Sequence, residues 1–393
     1  SRESLACHAQ SHRGAMGLVA LALYVHWPWC VHKCPYCDFN SRGGLFRIDE
    51  SRYIAALLAD LSQVAHTVSR PVTSVFFGGG TPSLMTSEGF DALMRGIGER
   101  VDLVHDAEIT LEANPGTVTE EKLAAFARSG VTRLSLGVQS FNEASLSFLG
   151  RIHTARQARE AVTWAKNTFA HVNIDMMYAL SGQTQADLRA DAEEAVSFNT
   201  DHLSYYELTI EPGSVFFKRP PENLPDADTA GDMAECIQTI TRKAGFDHYE
   251  VSAYAKAGSR CRHNMTYWTY GDYLAIGAGA HAKITTPDGA IFREVRAKSP
   301  VRYMTDVENG TCVQRRRRVR PEEIPFEFML NVLRLREGVA KERWEEATGL
   351  PYALIAPKVA SLQREGLMEK TDCLAATALG RRFLNTLQER FLP

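Results

Sequence analysis

Short β-rich segments alternate with amphipathic helical segments from residue 21 to residue 245, and this alternation limits the fold more than any other feature of the sequence. The β-rich segments are 21–26, 74–77, 107–112, 133–137, 172–177 and 203–208. Strands that alternate with helices at this spacing pair in parallel. Because six units are too few to close an eight-stranded barrel, the pattern predicts an α/β fold with a partial (β/α)6 barrel.

The helical segments carry the apolar periodicity of helices that cover a sheet. Between the first two strands, apolar residues recur at three- and four-residue steps, namely Ile54, Leu57, Leu58, Leu61, Val64, Ala65 and Val68. Further helices are predicted at 120–129, 155–167, 185–198 and 229–244. Thr184 and Asp187 have the spacing of a capping box at the start of the helix at 185–198.

Changes in sequence character divide the rest of the chain. Residues 1–19 show neither helical nor strand periodicity and are predicted to be an unstructured leader or tag. The barrel core is predicted at 20–245, an extension at 246–300, and a small C-terminal helical, winged-helix-like domain at 301–393. Apolar residues at helical spacing in the last segment support the helical prediction.

Composition and charge exclude several classes of function. The 44 basic and 47 acidic residues leave a formal net charge of −3, which provides no field for nucleic acid or an anionic membrane surface. No apolar run reaches the roughly 18 residues that span a bilayer, so no transmembrane segment is predicted. Three of the eight cysteines are clustered and the others are scattered, which favours a metal site in a reducing cytoplasm over a disulfide scaffold.

The clustered cysteines form the most informative motif of the chain. Cys30, Cys34 and Cys37 follow the first predicted strand with the spacing C-x3-C-x2-C. One loop with these spacings can hold three irons of a cuboid 4Fe-4S cluster and leave the fourth iron open for a small ligand. The alternative is a zinc site to which His26 or His32 contributes, although zinc sites usually combine a C-x2-C pair with a second, distant pair of ligands.

This motif resembles the signature of the radical S-adenosylmethionine (SAM) superfamily. The flanking Tyr24-Val-His-Trp-Pro-Trp and Asp38-Phe39-Asn are similar to a subgroup of oxygen-independent coproporphyrinogen III oxidases and HemW-type haem chaperones. The resemblance covers residues 21–390. It implies a radical SAM barrel, in which SAM chelates the open iron and is cleaved to a 5'-deoxyadenosyl radical on reduction of the cluster. One departure is Tyr178-Ala179-Leu180-Ser181-Gly182, where relatives read Y-G-L-P-G, so a reshaped turn is expected.

The glycine run at 78–80, after the second strand, agrees with this resemblance. Residues without side chains let backbone groups approach a ligand closely, although a tight β/α turn is the alternative explanation. The resemblance implies SAM contacts by Tyr24, Tyr36, Gly79, Gly80, Thr81 and Glu112, and contacts to a second SAM by Gln139, Arg151 and Asp175. The alternative for Arg151 is a structural ion pair.

Two positions distinguish the oxidases of the subgroup from the chaperones. The oxidases carry a further cysteine two residues beyond the third ligand, where this chain has Phe39, so coproporphyrinogen III oxidase activity is not expected. The segment 263–268 resembles the H-N-x-x-Y-W motif that is associated with haem binding in the chaperones. This implies that His263 is an axial ligand and that Tyr267 and Trp268 lie beside the porphyrin. A buried structural histidine is the alternative for His263.

The leading hypothesis is a haem chaperone that uses a 4Fe-4S cluster and SAM, binds haem and transfers it to acceptor haem proteins, among them respiratory, membrane-associated ones. The alternative is a radical SAM enzyme such as an oxygen-independent coproporphyrinogen III dehydrogenase. No catalytic residue is assigned, SAM cleavage is left open, and a homodimer is compatible with the sequence. Cys261 and His281 are further candidates for a haem ligand. Arg315–Arg318 is expected to be a solvated face unless haem propionates or an acidic partner use it.

Overall fold

The computed structural model of the chain describes residues 21–44 and 48–393, so the predicted leader at 1–19 lies outside the described residues. In chain order, the strands are β1 (Leu21–Trp27), β2 (Trp29–Cys30), β3 (Arg42–Gly43), β4 (Val72–Gly79), β5 (Leu103–Ala113), β6 (Arg133–Gln139), β7 (His171–Tyr178), β8 (His202–Glu207), β9 (Asp247–Glu250), β10 (Ala253–Ala255), β11 (Asp272–Ile276), β12 (His281–Thr285), β13 (Ile291–Val295), β14 (Arg315–Arg318), β15 (Val339–Ala340) and β16 (Cys373–Leu374). The α-helices are α1 (Glu50–Ala65), α2 (Ser87–Gly98), α3 (Glu120–Arg128), α4 (Glu143–Phe148), α5 (Ala155–Thr168), α6 (Gln185–Ser197), α7 (Val215–Lys218), α8 (Ala227–Lys243), α9 (Arg262–Trp268), α10 (Pro300–Glu308), α11 (Ile324–Val332), α12 (Glu342–Thr348), α13 (Ala356–Arg364), α14 (Ala378–Arg382) and α15 (Leu384–Glu389).

The six predicted strands form the centre of one sheet. β1, β4, β5, β6, β7 and β8 lie side by side in this order, and each pair of neighbours is parallel. Thr184 and Asp187 make the expected capping box at the start of α6. The α/β fold with a partial parallel barrel is therefore confirmed.

The sheet continues beyond both edges of the predicted barrel. β11 pairs with β1 in parallel, and the antiparallel strands β12, β13 and β14 follow it. At the other edge, β10 and β9 continue from β8 in antiparallel pairing. The alternation of strands with long amphipathic helices does not predict β11. The helix before it, α9, has only seven residues and is too short to show that pattern. β11 to β13 fall in the predicted extension at 246–300, whose boundaries, like those of the other predicted domains, stay predictions.

Alternate residues of the parallel strands face opposite sides of the sheet. Those that face the covering helices are apolar and almost fully buried, namely Leu23, Val75, Leu111, Leu134, Ile174 and Leu203. The residues that follow each of these in the chain are Tyr24, Phe76, Glu112, Ser135, Asp175 and Ser204. The second set therefore lies on the concave side of the partial barrel, where the alternation brings polar and aromatic side chains together.

A second apolar core forms the C-terminal part of the chain. Helices α11 to α15 pack with the two-stranded antiparallel sheet of β15 and β16. Phe328 and Trp344, both fully buried, meet edge to face with ring centroids 5.2 Å apart. The predicted C-terminal helical domain is present. Among the described residues, no helix is long and apolar enough to cross a membrane.

The turn after β7 keeps a backbone conformation that favours glycine, although it carries Ala179. The φ of Ala179 is 58°, a left-handed conformation that costs alanine about 1–2 kcal/mol. The alanine therefore does not move φ out of the glycine region. We expect Ala179→Gly to raise the free energy of unfolding by about 0.5–1 kcal/mol, because the relief of strain exceeds the entropy that glycine adds to the unfolded chain.

Urea unfolding measures this effect, and Ala190→Gly is the matched control. Ala190 is exposed within α6, where glycine is expected to lower stability by about 1 kcal/mol. If both substitutions destabilised the protein equally, Ala179 would not be strained.

Candidate functional site

The cysteine loop lies at the C-terminal end of the parallel strands. Cys30 ends β2, and the backbone N–H of Cys37 donates to the carbonyl oxygen of Cys34 at 3.1 Å, which closes a tight turn. All three thiols are free and half-buried. Arg151 donates from Nη1 to Cys34 Sγ at 3.4 Å, and the hydroxyl of Ser41 lies 4.0 Å from Cys37 Sγ. The loop thus presents three sulfur donors at the mouth of the barrel.

The surroundings of these thiols bear on the kind of metal site. Burial raises the pKa of Cys30 and the pKa of Cys37, so their thiolates need a nearby positive charge such as iron. Among the described residues, no three Cys, His, Asp or Glu side chains converge closely enough to hold a single metal ion. A cuboid cluster places each thiolate on a different iron, so it does not need that convergence. The geometry does not favour the zinc alternative.

The glycine run passes directly beneath the cysteine loop. The N–H of Gly80 donates to the carbonyl oxygen of Trp27 at 2.6 Å, and the N–H of Thr81 donates to that of Trp29 at 2.8 Å. A β-carbon at Gly80 would lie 2.5 Å from the Trp29 oxygen, and one at Gly79, whose φ is +110°, would lie 2.4 Å from the His26 ring. The backbone therefore has no room for side chains here, and its position agrees with a ligand-binding strip.

His26, which the sequence suggested only as a possible zinc ligand, has a different place in the site. Its Nε2 lies 2.9 Å from the carbonyl oxygen of Asn40, and its Nδ1 lies 3.0 Å from the hydroxyl of Tyr24. Because a carbonyl can only accept, Nε2 carries the proton and Nδ1 accepts from Tyr24. Burial lowers the pKa of His26, which keeps the ring neutral. Its position two residues after Tyr24 on β1 was the available signal, since such residues share a face.

Two carboxyl groups lie on the concave side below the glycine run. Glu112 accepts from the N–H of Gly79 at 3.2 Å, and burial, with the nearby charge of Asp175, raises the pKa of Glu112 to about 8. Burial also raises the pKa of Asp175, although Asn173 and Ser135 donate hydrogen bonds to it at 2.8 and 3.0 Å. A cationic ligand would stabilise the ionised form of both acids.

Tyr206 lies on the same concave side as these two carboxyl groups. The residue is 45% exposed. Desolvation, with the nearby charges of Asp175 and Glu112, raises the pKa of its phenol far above the ordinary value. The influence of these charges shows that the Tyr206 hydroxyl lies near both carboxyl groups. The sequence analysis did not identify Tyr206, although it lies two residues after Ser204 on the same face of β8.

Gln139 and Arg151 lie at the irregular end of β6. Gln139 has a φ of 70°, and the pairing register between β6 and β7 shifts just before it. Arg151 donates from Nη2 to the carbonyl oxygen of Gly137 at 2.8 Å, whereas its Nε is buried without a partner among the described residues. Tyr36 lies beside Arg151 and Cys34, and burial raises the pKa of its phenol. A strained residue and an unsatisfied buried donor are both typical of a ligand site.

The H-N-x-x-Y-W segment forms α9, which packs inside the lower part of the barrel. His263 is fully buried, with Nδ1 3.0 Å from Ser74 Oγ and Nε2 2.8 Å from the Tyr267 hydroxyl. Its backbone N–H donates to Glu108 at 3.0 Å, and Glu108 forms a buried ion pair with Arg133 at 3.0 Å. Both ring nitrogens are therefore engaged, and burial lowers the pKa of His263 to about 3.

The three predicted haem contacts are neighbours, with ring centroids 5.0 Å apart for His263 and Tyr267 and 6.2 Å apart for Tyr267 and Trp268, but each ring has another partner. The ring of Tyr267 packs against Tyr273, with centroids 4.6 Å apart. Trp268 packs against the C-terminal core, where the guanidinium of Arg334 covers its ring at 4.4 Å. For His263 to bind iron, its ring would have to lose one of its two hydrogen bonds.

Comparison with known proteins relates these features to a family. The radical SAM superfamily model matches residues 24–195, and the HemN C-terminal domain model matches residues 319–383. The heme chaperone HemW of Haemophilus influenzae is 42% identical over 382 residues, which cover 95% of this chain and 98% of that protein. HemW of Escherichia coli is also 42% identical and covers 95% of this chain and 99% of its own. The chain belongs to the HemW family.

The HemW family shares its fold with an enzyme. The structure of the coproporphyrinogen III oxidase HemN from Escherichia coli, described as a radical SAM enzyme, superposes with a TM-score of 0.80 at 21% identity and covers 95% of this chain and 90% of its own. At this identity the likeness shows the fold alone. Membership of the HemW family within the radical SAM superfamily implies a 4Fe-4S cluster and SAM. The features of the site are compatible with the 4Fe-4S cluster and with SAM. They are the three free thiols, the glycine run at 78–80 and Arg151 Nε, which has no partner among the described residues.

Proposed function

We propose that the chain is a haem chaperone, which binds haem and transfers it to acceptor haem proteins and carries a SAM-liganded 4Fe-4S cluster. The observation that carries this proposal is 42% identity to two heme chaperones HemW along 95% of the chain. The alignment with both relatives covers 98–99% of their length. The reducing cytoplasm is the proposed location, since three half-buried thiols must stay reduced to hold iron.

The proposed cluster ligands are Cys30, Cys34 and Cys37. The cluster, when bound, supplies an electron and an open iron for the amino and carboxylate groups of SAM. The chain's own residues would shape the SAM pocket, with Tyr24, Tyr36, Gly79, Gly80, Thr81 and Glu112 around one SAM and Gln139, Arg151 and Asp175 around a second. The support is that Glu112, which accepts from the Gly79 N–H at 3.2 Å, and Asp175 are carboxyl groups on the concave side, where a sulfonium cation would stabilise their ionised forms.

The proposed cargo is haem, and the proposed recipients include respiratory, membrane-associated haem proteins. A homodimer is part of the same proposal. The buried, doubly hydrogen-bonded ring of His263 does not support this residue as the axial ligand. His263 fits a positioning role better, because it holds the Tyr267 hydroxyl on the concave side of the barrel.

The function is tested by anaerobic reconstitution, haem titration and transfer to an acceptor apoprotein in the same preparation. We expect a stoichiometric haem complex, followed by loss of its absorption spectrum as the acceptor spectrum appears. Protein without cluster is the control for transfer. Absence of haem binding by the reconstituted protein would overturn the proposal.

The alternative enzyme activity has its own test. The reconstituted protein is expected not to convert coproporphyrinogen III to protoporphyrinogen IX, even with a strong reductant. Phe39, which occupies the position of the oxidases' further cysteine, has no thiol and is 58% exposed beside the cysteine loop. Product analysis by chromatography measures the outcome, and robust turnover would assign the chain to the oxidases instead.

A further inference from the structure

His281, the first residue of β12, lies at the same end of the barrel as the cysteine loop. Tyr24 pairs with Ala275 of β11, and Tyr273 of β11 pairs with Lys283 of β12. Paired residues share a face of the sheet, and so do residues two apart on one strand. His281, two residues before Lys283, therefore points to the same concave side as Tyr24.

The imidazole of His281 is available to a ligand. The residue is exposed, and no hydrogen bond or ion pair engages its ring in the part of the chain that the structure describes. Partial burial and the positive charges of Lys298, Arg293, Arg315 and Arg296 lower the pKa of His281. A neutral imidazole nitrogen is the form that binds iron. In these respects His281 is the opposite of His263, whose ring is buried and doubly hydrogen-bonded.

Two of the neighbouring cations are also without partners. His281 pairs with Val295 of β13, and Val295 pairs with Arg315 of β14, so the three residues form a row on one face. Arg315 and Lys298 are exposed and form no ion pair within the described residues. By contrast, Arg293 binds Glu327 at 2.9 Å, and Arg296 binds Asp60 at 3.3 Å. Arg315 and Lys298 are therefore free to bind anionic groups beside His281.

An exposed aromatic residue lies next to this basic surface. The side-chain amide of Asn40 donates to the carbonyl oxygens of Ala278 and Lys298 at 2.9 and 3.0 Å, which ties the end of the cysteine loop to the turn before β12 and to the segment after β13. Phe39 precedes Asn40 and is 58% exposed. The surface thus combines an available imidazole, two unpaired cations and an apolar ring.

We infer that haem binds at this surface, with the His281 imidazole as an axial ligand, Lys298 and Arg315 pairing with the propionates, and Phe39 contacting the macrocycle. The inference rests on the proposed haem-chaperone function and assigns a different axial ligand from the one that the H-N-x-x-Y-W motif implies. An exposed site at the barrel mouth suits haem as a cargo that must be released to an acceptor. It also places haem beside the cysteine loop.

The axial ligand is tested by haem titration of wild-type protein and of His281→Ala, His263→Ala and His105→Ala. We expect His281→Ala to shift the Soret band and to weaken haem affinity by about tenfold or more, as removal of a main anchoring contact does. His105 is an exposed histidine near the opposite end of β5, so its substitution is the control and should change neither quantity. His263→Ala should lose stability in urea yet keep the wild-type Soret position.

The propionate contacts are tested with haem and haem dimethyl ester, whose carboxylates are neutralised. Wild-type protein should prefer haem, and the Lys298→Ala, Arg315→Ala double variant should bind both compounds alike, without a Soret shift. Arg318→Ala removes a charge from the opposite face of β14 and should keep the preference.

The outcomes separate this inference from the proposed function. If wild-type protein binds no haem, the haem-chaperone proposal itself fails. If wild-type protein binds haem and His281→Ala shows the same spectrum and affinity, only the present inference fails. A Soret shift in His263→Ala but not in His281→Ala would return the ligand role to the motif histidine.

Discussion

Replacing Cys30, Cys34 or Cys37 with alanine, one at a time, is expected to remove almost all iron and sulfide from the reconstituted protein and to abolish its iron–sulfur absorbance. Each thiol would hold a different iron of the proposed cluster, so the loss of one thiol leaves one iron without its protein ligand. Iron and sulfide analysis after anaerobic reconstitution measures the loss. SAM should perturb the EPR signal of the reduced wild-type cluster, because its chelating groups occupy the open iron.

Cys236→Ala is the matched control for this series. Cys236 is also a free, half-buried thiol, but it lies on α8 and packs against the barrel core. We expect this variant to bind the same amount of iron as wild type. If a variant without the three loop cysteines still assembled a cluster, the assignment of the site would be wrong.

Gly79→Ala is expected to lower the free energy of unfolding by about 2–5 kcal/mol and to abolish SAM binding. Its φ of +110° strains any other residue, and the added β-carbon would lie 2.4 Å from the His26 ring. That ring cannot move freely, because both of its nitrogens are hydrogen-bonded, to Tyr24 and to Asn40. Urea unfolding and SAM titration of the reconstituted protein measure the two effects.

Gly98→Ala distinguishes this steric effect from a general intolerance of glycine substitution. Gly98 ends α2, and a β-carbon there would meet nothing within 4 Å. Alanine should therefore be neutral or stabilise the helix by up to about 1 kcal/mol. If Gly79→Ala were as stable as wild type, the glycine run at 78–80 would tolerate a side chain. The structural argument that its backbone approaches a ligand closely would then fail.

The barrel was predictable because its signals are local. Each parallel strand is a short β-rich segment next to an amphipathic helix, and all six lie where the pattern indicates. β11 could not be predicted in this way. Its position beside β1 depends on pairing between residues about 250 positions apart, such as Leu21 with Asp272. Local periodicity carries no information about such a pairing.

Two parts of the candidate site were predictable, because their chemistry depends on the spacing of residues that are close in the sequence. The cysteine motif and the glycine run are each contained in a few consecutive residues, and the structure brings both to the barrel mouth. The role of His26 beside Tyr24 and the place of Tyr206 in the site were not predicted, because a lone His or Tyr on a strand usually belongs to the core. Only their surroundings distinguish them: His26 is hydrogen-bonded to Tyr24, and Tyr206 lies near Asp175 and Glu112.

By itself, the sequence determined the six-unit parallel barrel, the cysteine loop at its mouth and the position of the H-N-x-x-Y-W motif. The tertiary structure decided what that motif can do, because the ring of His263 meets Ser74, which lies 189 residues earlier in the chain. It likewise placed His281 in an exposed row with Arg315, across three strands. Availability of a side chain to a ligand depends on what occupies its donors and acceptors, and those partners come from distant parts of the chain.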